Sequence, residues 1–316
     1  MAEAIDLTGK TAVVTGAGRG LGLAYATALA AAGAAVVVND VDEAAAAEAV
    51  RSVRDVGGRA VAVVGPVGPT DTAQRLVATA FDEFDGLDVL VTNAGVLRDS
   101  VLWKMSDEDF DTVLDVHVRG TFTCVRAAAI AMRAQGRGGR VIVAGSPTGQ
   151  RGTFGQTNYA AAKAAIVGMM RTWALELARA EITVNALVPV AATAMTKTIP
   201  FFAPHVEAYE RDGVPLPEAL RKGEGFGTVE DVAGLVVYLA SDAARDVNGQ
   251  AIGIGGDRLA LWSHPRETAT AYTDGGWTSD AIATAWPSTL GRVPESVGIP
   301  APRPLDEPVR SEAAAR

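Results

Sequence analysis

Three side chains near the middle of the chain have the types and spacing for proton and hydride chemistry. Tyr159 and Lys163 stand four residues apart at the start of an apolar helical run. That spacing puts phenol and ammonium on one helix face. A nearby cation stabilises phenolate and lowers a tyrosine pKa from its reference of about 10. The phenol then becomes a usable general acid/base. Ser146 lies thirteen residues earlier, just past a β-rich run, where its hydroxyl can hold a substrate oxygen beside Tyr159. A Tyr-x-x-x-Lys pair alone is also common on solvated helix surfaces, so the reading depends on its neighbours.

A second set of residues has the chemistry to hold a dinucleotide. The first β-rich run ends in TGAGRGLG at 15–22. Gly16, Gly20 and Gly22 give G-x-x-x-G-x-G, not the G-x-G-x-x-G of ordinary dinucleotide folds. Glycines there allow a tight turn, and the helix that follows directs N–H groups and a positive dipole at a pyrophosphate. Asp40 ends the second run, about 20 residues on, where a carboxylate accepts from ribose hydroxyls and repels a 2′-phosphate. This favours NAD over NADP. Arg19 is a counter-signal, because a cation near the ribose tolerates a phosphate.

These groups must be positioned by alternating elements. Runs at 11–15, 35–39, 60–64, 87–92, 140–145, 183–188 and 250–254 read as strands, mostly continuous Val/Ile/Ala stretches. Such strands are covered on both faces. Helical patterns lie at 21–32, 43–56, 71–84, 107–132, 158–178 and 229–240. The alternation predicts an α/β fold: a doubly wound, seven-stranded parallel sheet with helices on both faces, Rossmann-like, filling residues 1–257. In such sheets ligands sit beyond the carboxyl ends of the strands.

Two stretches break the pattern. Residues 191–227 form a long insert carrying Phe201, Phe202 and Tyr209 with several prolines. Long loops in compact domains are commonly lids or binding loops, so this one is expected to contact an apolar substrate. Residues 258–316 form an extension bearing Trp262, Trp277 and Trp286, expected to pack on the body or on a partner subunit. Its last ~20 residues are expected to be flexible from their composition.

Bulk properties narrow the field. With 48% hydrophobic and 21% charged residues, the 316-residue chain suits a globular protein with a large core. A net charge of -9 argues against a nucleic-acid partner. The lone cysteine, Cys124, excludes an intrachain disulfide. No apolar run approaches the roughly 20 residues that cross a bilayer, and the N-terminus lacks a signal-peptide pattern, so no membrane partner and a cytoplasmic location are expected. His117, His205 and His264 form no ligand-spaced set, so no metal is expected.

From Leu7 to Gly256 the chain resembles the classical short-chain dehydrogenases/reductases. The matching pieces are TGAGRGLG at 15–22, TNAG at 92–95, Ser146, YAAAK at 159–163, NALVP at 185–189 and NGQAIGIGG at 248–256. Within that family it is most similar to the branch holding the hydroxyacyl-CoA dehydrogenase domain of the multifunctional β-oxidation enzyme, also a 17β-hydroxysteroid dehydrogenase. The shared look lies in VVVND at 36–40, NAGVLRD at 93–99, SDEDFD at 106–111, VHVRGTF at 116–122 and GTFGQTNYAAAK at 152–163.

The resemblance implies roles. Tyr159 is the acid/base, Ser146 polarises the substrate oxygen, and Lys163 binds the nicotinamide ribose and tunes Tyr159. Gly16, Arg19, Gly20, Leu21, Gly22, Asp40, Val67, Asn93, Ala94 and Gly95 lie along NAD, and Val188 and Thr193 reach its carboxamide. It also implies a homodimer or homotetramer. Three departures stand out. His117 replaces the usual Asn of a proton relay and is a candidate catalytic residue in its place. Pro66-Val67 stands where an adenine-contacting Asp precedes Val, and Pro189-Val190 replaces Pro-Gly.

The expected activity is NAD-dependent oxidation of a secondary alcohol on an apolar substrate, foremost a (3R)-hydroxyacyl-CoA or a steroid-linked one. A free 17β-hydroxysteroid and a 3-oxoacyl reductase activity are the alternatives. A non-catalytic dinucleotide-binding sensor or scaffold is the reading from another class.

Overall fold

The computed structural model describes residues 4–300 and 302. Its strands are β1 (Thr11–Thr15), β2 (Ala35–Asp40), β3 (Arg59–Val64), β4 (Val89–Thr92), β5 (Gly139–Ala144), β6 (Ile182–Pro189), β7 (Ala251–Gly255) and β8 (Arg258–Trp262). Its helices are α1 (Gly20–Ala31), α2 (Glu43–Asp55), α3 (Thr70–Phe84), α4 (Asp107–Leu114), α5 (Gly120–Gln135), α6 (Pro147–Arg151), α7 (Thr157–Glu176), α8 (Ala203–Asp212), α9 (Val229–Ala240) and α10 (Ser279–Ala285).

The sheet runs β3-β2-β1-β4-β5-β6-β7-β8. The first seven strands are parallel, as the continuous apolar runs require. The eighth corrects the seven-strand expectation: β8 turns back and pairs antiparallel with β7, from Gly255↔Arg258 to Ala251↔Trp262. A short antiparallel edge strand is a frequent addition to a parallel sheet.

Alternate residues of each strand feed two cores. Ala12, Val14, Val36, Val38, Val89 and Val91 face α1, α2 and α9. Val13, Val37, Leu90, Val141 and Val143 face α3, α5 and α7. This two-sided burial is why the strands read as unbroken apolar stretches.

The long helix expected over 107–132 is not uniform. Between α4 and α5 the chain makes a π turn at Asp115–Arg119, and α5 runs on to Gln135. A π turn adds a residue to the helical repeat and re-aims the side chains that follow. Here it carries His117 inward, where it is 1% exposed.

The insert folds on itself. Val206 of α8, Leu216, Leu220 and Phe226 are buried together, and Phe202 stacks on Phe226 at 4.2 Å between ring centroids. Arg221 joins it to the body through Asp231 at the start of α9 (2.8 Å) and Asp257 in the β7–β8 turn (2.7 Å). No described residue beyond Gly255 is buried. The extension touches α7 through Arg171 Nε donating to His264 Nδ1 at 3.1 Å. Most of the 20-residue end expected to be flexible lies outside the described residues; Gly298, within them, is hydrogen-bonded to Arg151.

Candidate active site

The strand order reverses between β1 and β4, and the crevice beyond their carboxyl ends is where a doubly wound sheet holds its ligand. The chemistry-bearing residues flank it.

At β1 the chain enters the glycine turn. Gly16 has φ +60, and a Cβ there would stand 2.7 Å from Ala94 Cα. Only glycine meets both demands. Asn93 ties the two loops together: its Nδ2 donates to the carbonyls of Thr15 (3.1 Å) and Gly16 (3.0 Å). The amides of Asn93 and Ala94 both donate to Thr15 Oγ1. The N-cap of α1, Arg19, gives no side-chain cap, and no acidic residue lies in the first turn, so the helix's leading N–H groups are left for another acceptor. Asp40 Oδ2 accepts from Gly18 N at 3.0 Å, which places its carboxylate beside the turn. Arg19 reaches away to Asp42 at 2.7 Å. This donor and carboxylate set fits a nicotinamide dinucleotide.

Other expected cofactor positions sit differently. Leu21 and Val67 are half-buried against the two cores, and Val67 packs closely on Gly120. Val188 is 1% exposed, with its side chain in the core, so only its backbone is free to meet a ligand. Thr193 is engaged locally: its amide donates to Thr196 Oγ1 at 2.8 Å.

Across the crevice, β5 ends at Ala144 and Ser146 caps α6, its Oγ accepting from Thr148 N at 3.2 Å. Asn158, fully buried, anchors the start of α7 by donating to the carbonyls of Arg98 (2.9 Å) and Asp109 (3.3 Å). Its Oδ1 accepts from Tyr159 N at 2.8 Å. Lys163 Nζ donates to Ala144 O at 2.7 Å and lies 5.6 Å from the Tyr159 ring centre. Ser146, Tyr159 and Lys163 are therefore brought together.

The electrostatics depart from the sequence reading. Burial pushes the Tyr159 phenol up to about 12; a hydrogen bond from Ser146 pulls it back, and the charge of Asp99 raises it further. Burial brings Lys163 down to about 7. Desolvation outweighs the expected cation effect, because both groups leave water. His117 meets Tyr159 edge-on, with ring centroids 5.3 Å apart. Its Nε2 lies 3.1 Å from Val96 N and 2.9 Å from Val96 O, and its buried Nδ1 has no partner. Burial, then the charge of Lys163, brings it down to about 3. A Cβ on Gly95 would stand 2.4 Å from the His117 ring, so that glycine serves the imidazole.

Sequence reasoning missed a polar chain beside the phenol. Thr148 Oγ1 donates to Gln156 Oε1 at 3.1 Å, and Gln156 Nε2 donates to Asp99 at 2.8 Å. Gln156 and Asp99 lie in segments matched to the branch, GTFGQTNYAAAK and NAGVLRD, which was the available signal. Among the described residues no cluster of His, Cys, Asp and Glu is arranged to hold a metal. No described helix is long and apolar enough to cross a membrane.

A family model described as short chain dehydrogenase matches residues 10–200. The hydroxyacyl-CoA dehydrogenase ChsB1 of Mycobacterium tuberculosis is 40% identical over 304 residues, covering 92% of each chain. The peroxisomal multifunctional enzyme type 2 of Mus musculus is 36% identical over 296 residues, which are 90% of this chain and 37% of that longer one. A solved short chain dehydrogenase from Mycobacterium avium superposes with TM-score 0.79 at 33% identity, covering 94% of this chain and 99% of that one.

Proposed function

We propose that this chain, which belongs to the short chain dehydrogenase family, moves a hydride between NAD(H) and the secondary alcohol or ketone of an apolar hydroxyacyl substrate. Its membership makes it an oxidoreductase acting on CH–OH groups. The finer reading is a (3R)-hydroxyacyl-CoA, with a steroid nucleus as the acyl body in its most specific form. The observation that carries it is the buried Ser146–Tyr159–Lys163 cluster beside the strand-order reversal. Similarity to the hydroxyacyl-CoA dehydrogenase ChsB1 supports the substrate class. Asp40 beside the glycine turn supports NAD.

Bound NAD⁺ supplies the hydride acceptor, and NADH the donor in reverse. Tyr159 takes the proton of the substrate hydroxyl, or returns it to the carbonyl oxygen. Ser146 holds that oxygen beside the phenol, where a fixed donor stabilises the charge that develops on it. Lys163, held by Ala144, keeps a proton within reach of the phenol. His117 stays a neutral imidazole beside the phenol, since its lowered pKa disqualifies it as a base near neutral pH. The insert with its phenylalanine core is the wall for the apolar part. The protein is read as a homodimer or homotetramer in the cytoplasm.

A second reading, reduction of a 3-oxoacyl group, is favoured by the neutral phenol, which is an acid before it is a base. Initial rates over hydroxyacyl-CoAs, hydroxysteroids, simple alcohols and the matching ketones, with NADP(H) as control, separate the readings. Tyr159→Phe is expected to leave NADH binding intact and abolish turnover. Retained turnover, or nucleotide binding with no turnover on any substrate, defeats the proposal.

A further inference from the structure

The segment between Ser146 and Tyr159 is held from two directions. On its inner side, Gly149 packs so tightly on α7 that a Cβ would stand 2.6 Å from Lys163 Cβ. On its outer side the far end of the chain comes back to it. Arg151 Nε donates to Gly298 O at 2.8 Å, and Nη2 donates to Ser296 O at 3.0 Å and Ser296 Oγ at 3.1 Å. Gly298 N donates in turn to Arg151 O at 2.7 Å.

These four bonds reach across about 147 residues and close on the last residue of a five-residue helix. So short a helix has little stability of its own, and its terminal carbonyls need partners. The extension supplies one. No described residue of the extension is buried, so apolar burial does not explain why its end lies here; the polar clasp does. Gly298 has φ +89, and a Cβ there would meet no atom within 4 Å. The glycine is needed for its backbone conformation and not for space.

We propose that the C-terminal extension is a working part of the active site: Ser296 and Gly298 clasp Arg151 and so hold α6, with Ser146 at its cap, against Tyr159 and Lys163. Arg151 is then a positioning residue. The effect on turnover rests on the proposed function; the clasp itself does not. Displacement of α6 moves Thr148, whose amide bonds Ser146 Oγ and whose hydroxyl leads through Gln156 to Asp99. A small shift of such a group costs turnover more than cofactor affinity.

The test uses the full chain with Gly298→Val, Arg151→Ala, Arg151→Lys and the Gly298→Val/Arg151→Ala double variant. Amide exchange at Thr148, Gly149 and Gly152 reads the clasp, since these amides bond within α6 or to Ser146. Both single variants to Val and Ala are expected to speed that exchange at least tenfold. They are expected to lower kcat by about ten- to a hundredfold with NADH affinity within about twofold. The double variant should be no worse than Arg151→Ala, because one interaction is lost once. Arg151→Lys should restore part of kcat.

Unchanged exchange in both single variants overturns the proposal whatever the turnover. So does faster exchange with unchanged kcat, or an additive double variant. Should the wild type turn over no substrate, the functional reading falls, and exchange still decides the clasp.

Discussion

At the scale of residues, the site is governed by dehydration. Tyr159 sits near 12 and Lys163 near 7 because both are enclosed, so at neutral pH the phenol of the free protein keeps its proton. The sign of the pH dependence follows. On the proposed mechanism, alcohol oxidation needs phenolate, whose fraction grows as pH rises toward the Tyr159 pKa. Ketone reduction needs the phenol and is fully supplied below that pKa. We expect kcat/KM for oxidation to climb from about pH 7 to about pH 10 and that for reduction to stay level or fall, measured as initial rates in constant-ionic-strength buffers. A flat oxidation profile would remove Tyr159 as the base. The grouping of Ser146, Tyr159 and Lys163 was legible from their spacing together with the glycine turn and the family motifs around them, which put them on one strand end and one helix face. Their proton affinities were not, because a sequence shows which charges are neighbours but not how much water is excluded.

Among elements, the insert has a small buried cluster of its own and is tied to the body by the ion pairs of Arg221. Its small core depends on Phe226, fully buried and stacked on Phe202. Phe→Ala at a buried site costs about 3–5 kcal/mol, more than a cluster of four buried residues is suited to absorb. Phe226→Ala is expected to raise KM for the apolar substrate about tenfold or more while NADH titration is unaltered; equal losses in both would show that the insert supports the whole fold. The strands were legible almost to the residue, since Val/Ile/Ala runs between glycines leave little choice of period. Other elements were hidden. The π turn at Asp115–Arg119 lies inside a pattern that an ordinary helix also satisfies. α8 sits between prolines, with one buried residue and no apolar stripe to mark it. β8 is only five residues long and leaves Leu259 and Leu261 exposed, so RLALW carries no sign of the strand it joins.

For the molecule as a whole, stability and catalysis pull against each other. Lys163 has its pKa lowered from an ordinary 10.5 to about 7. Between those values the unfolded chain holds a proton that the folded one lacks, so folding free energy rises with pH and the penalty is fully present below 7. His117 adds the same sign between 6.5 and about 3. A tenfold change in proton affinity corresponds to about 1.4 kcal/mol, so burying Lys163 costs several kcal/mol at neutral pH. Lys163→Met is expected to unfold at higher urea than the wild type at about pH 7, to lose the rise in stability between about pH 7 and pH 9, and to lose turnover. Urea titrations across that range check it; equal midpoints at neutral pH would mean the buried ammonium is better compensated than its single bond to Ala144 suggests.

The close contact between Gly95 and the His117 ring constrains how this sequence is able to change over generations. An imidazole at 117 forbids any side chain at 95, whereas a smaller group at 117 would open that space. The two positions are therefore sterically coupled in this fold: a side chain at 95 requires the His117 ring to move or to be replaced by a smaller group. Any substitution at Gly95 meets the imidazole first, because a Cβ there would stand 2.4 Å from the ring.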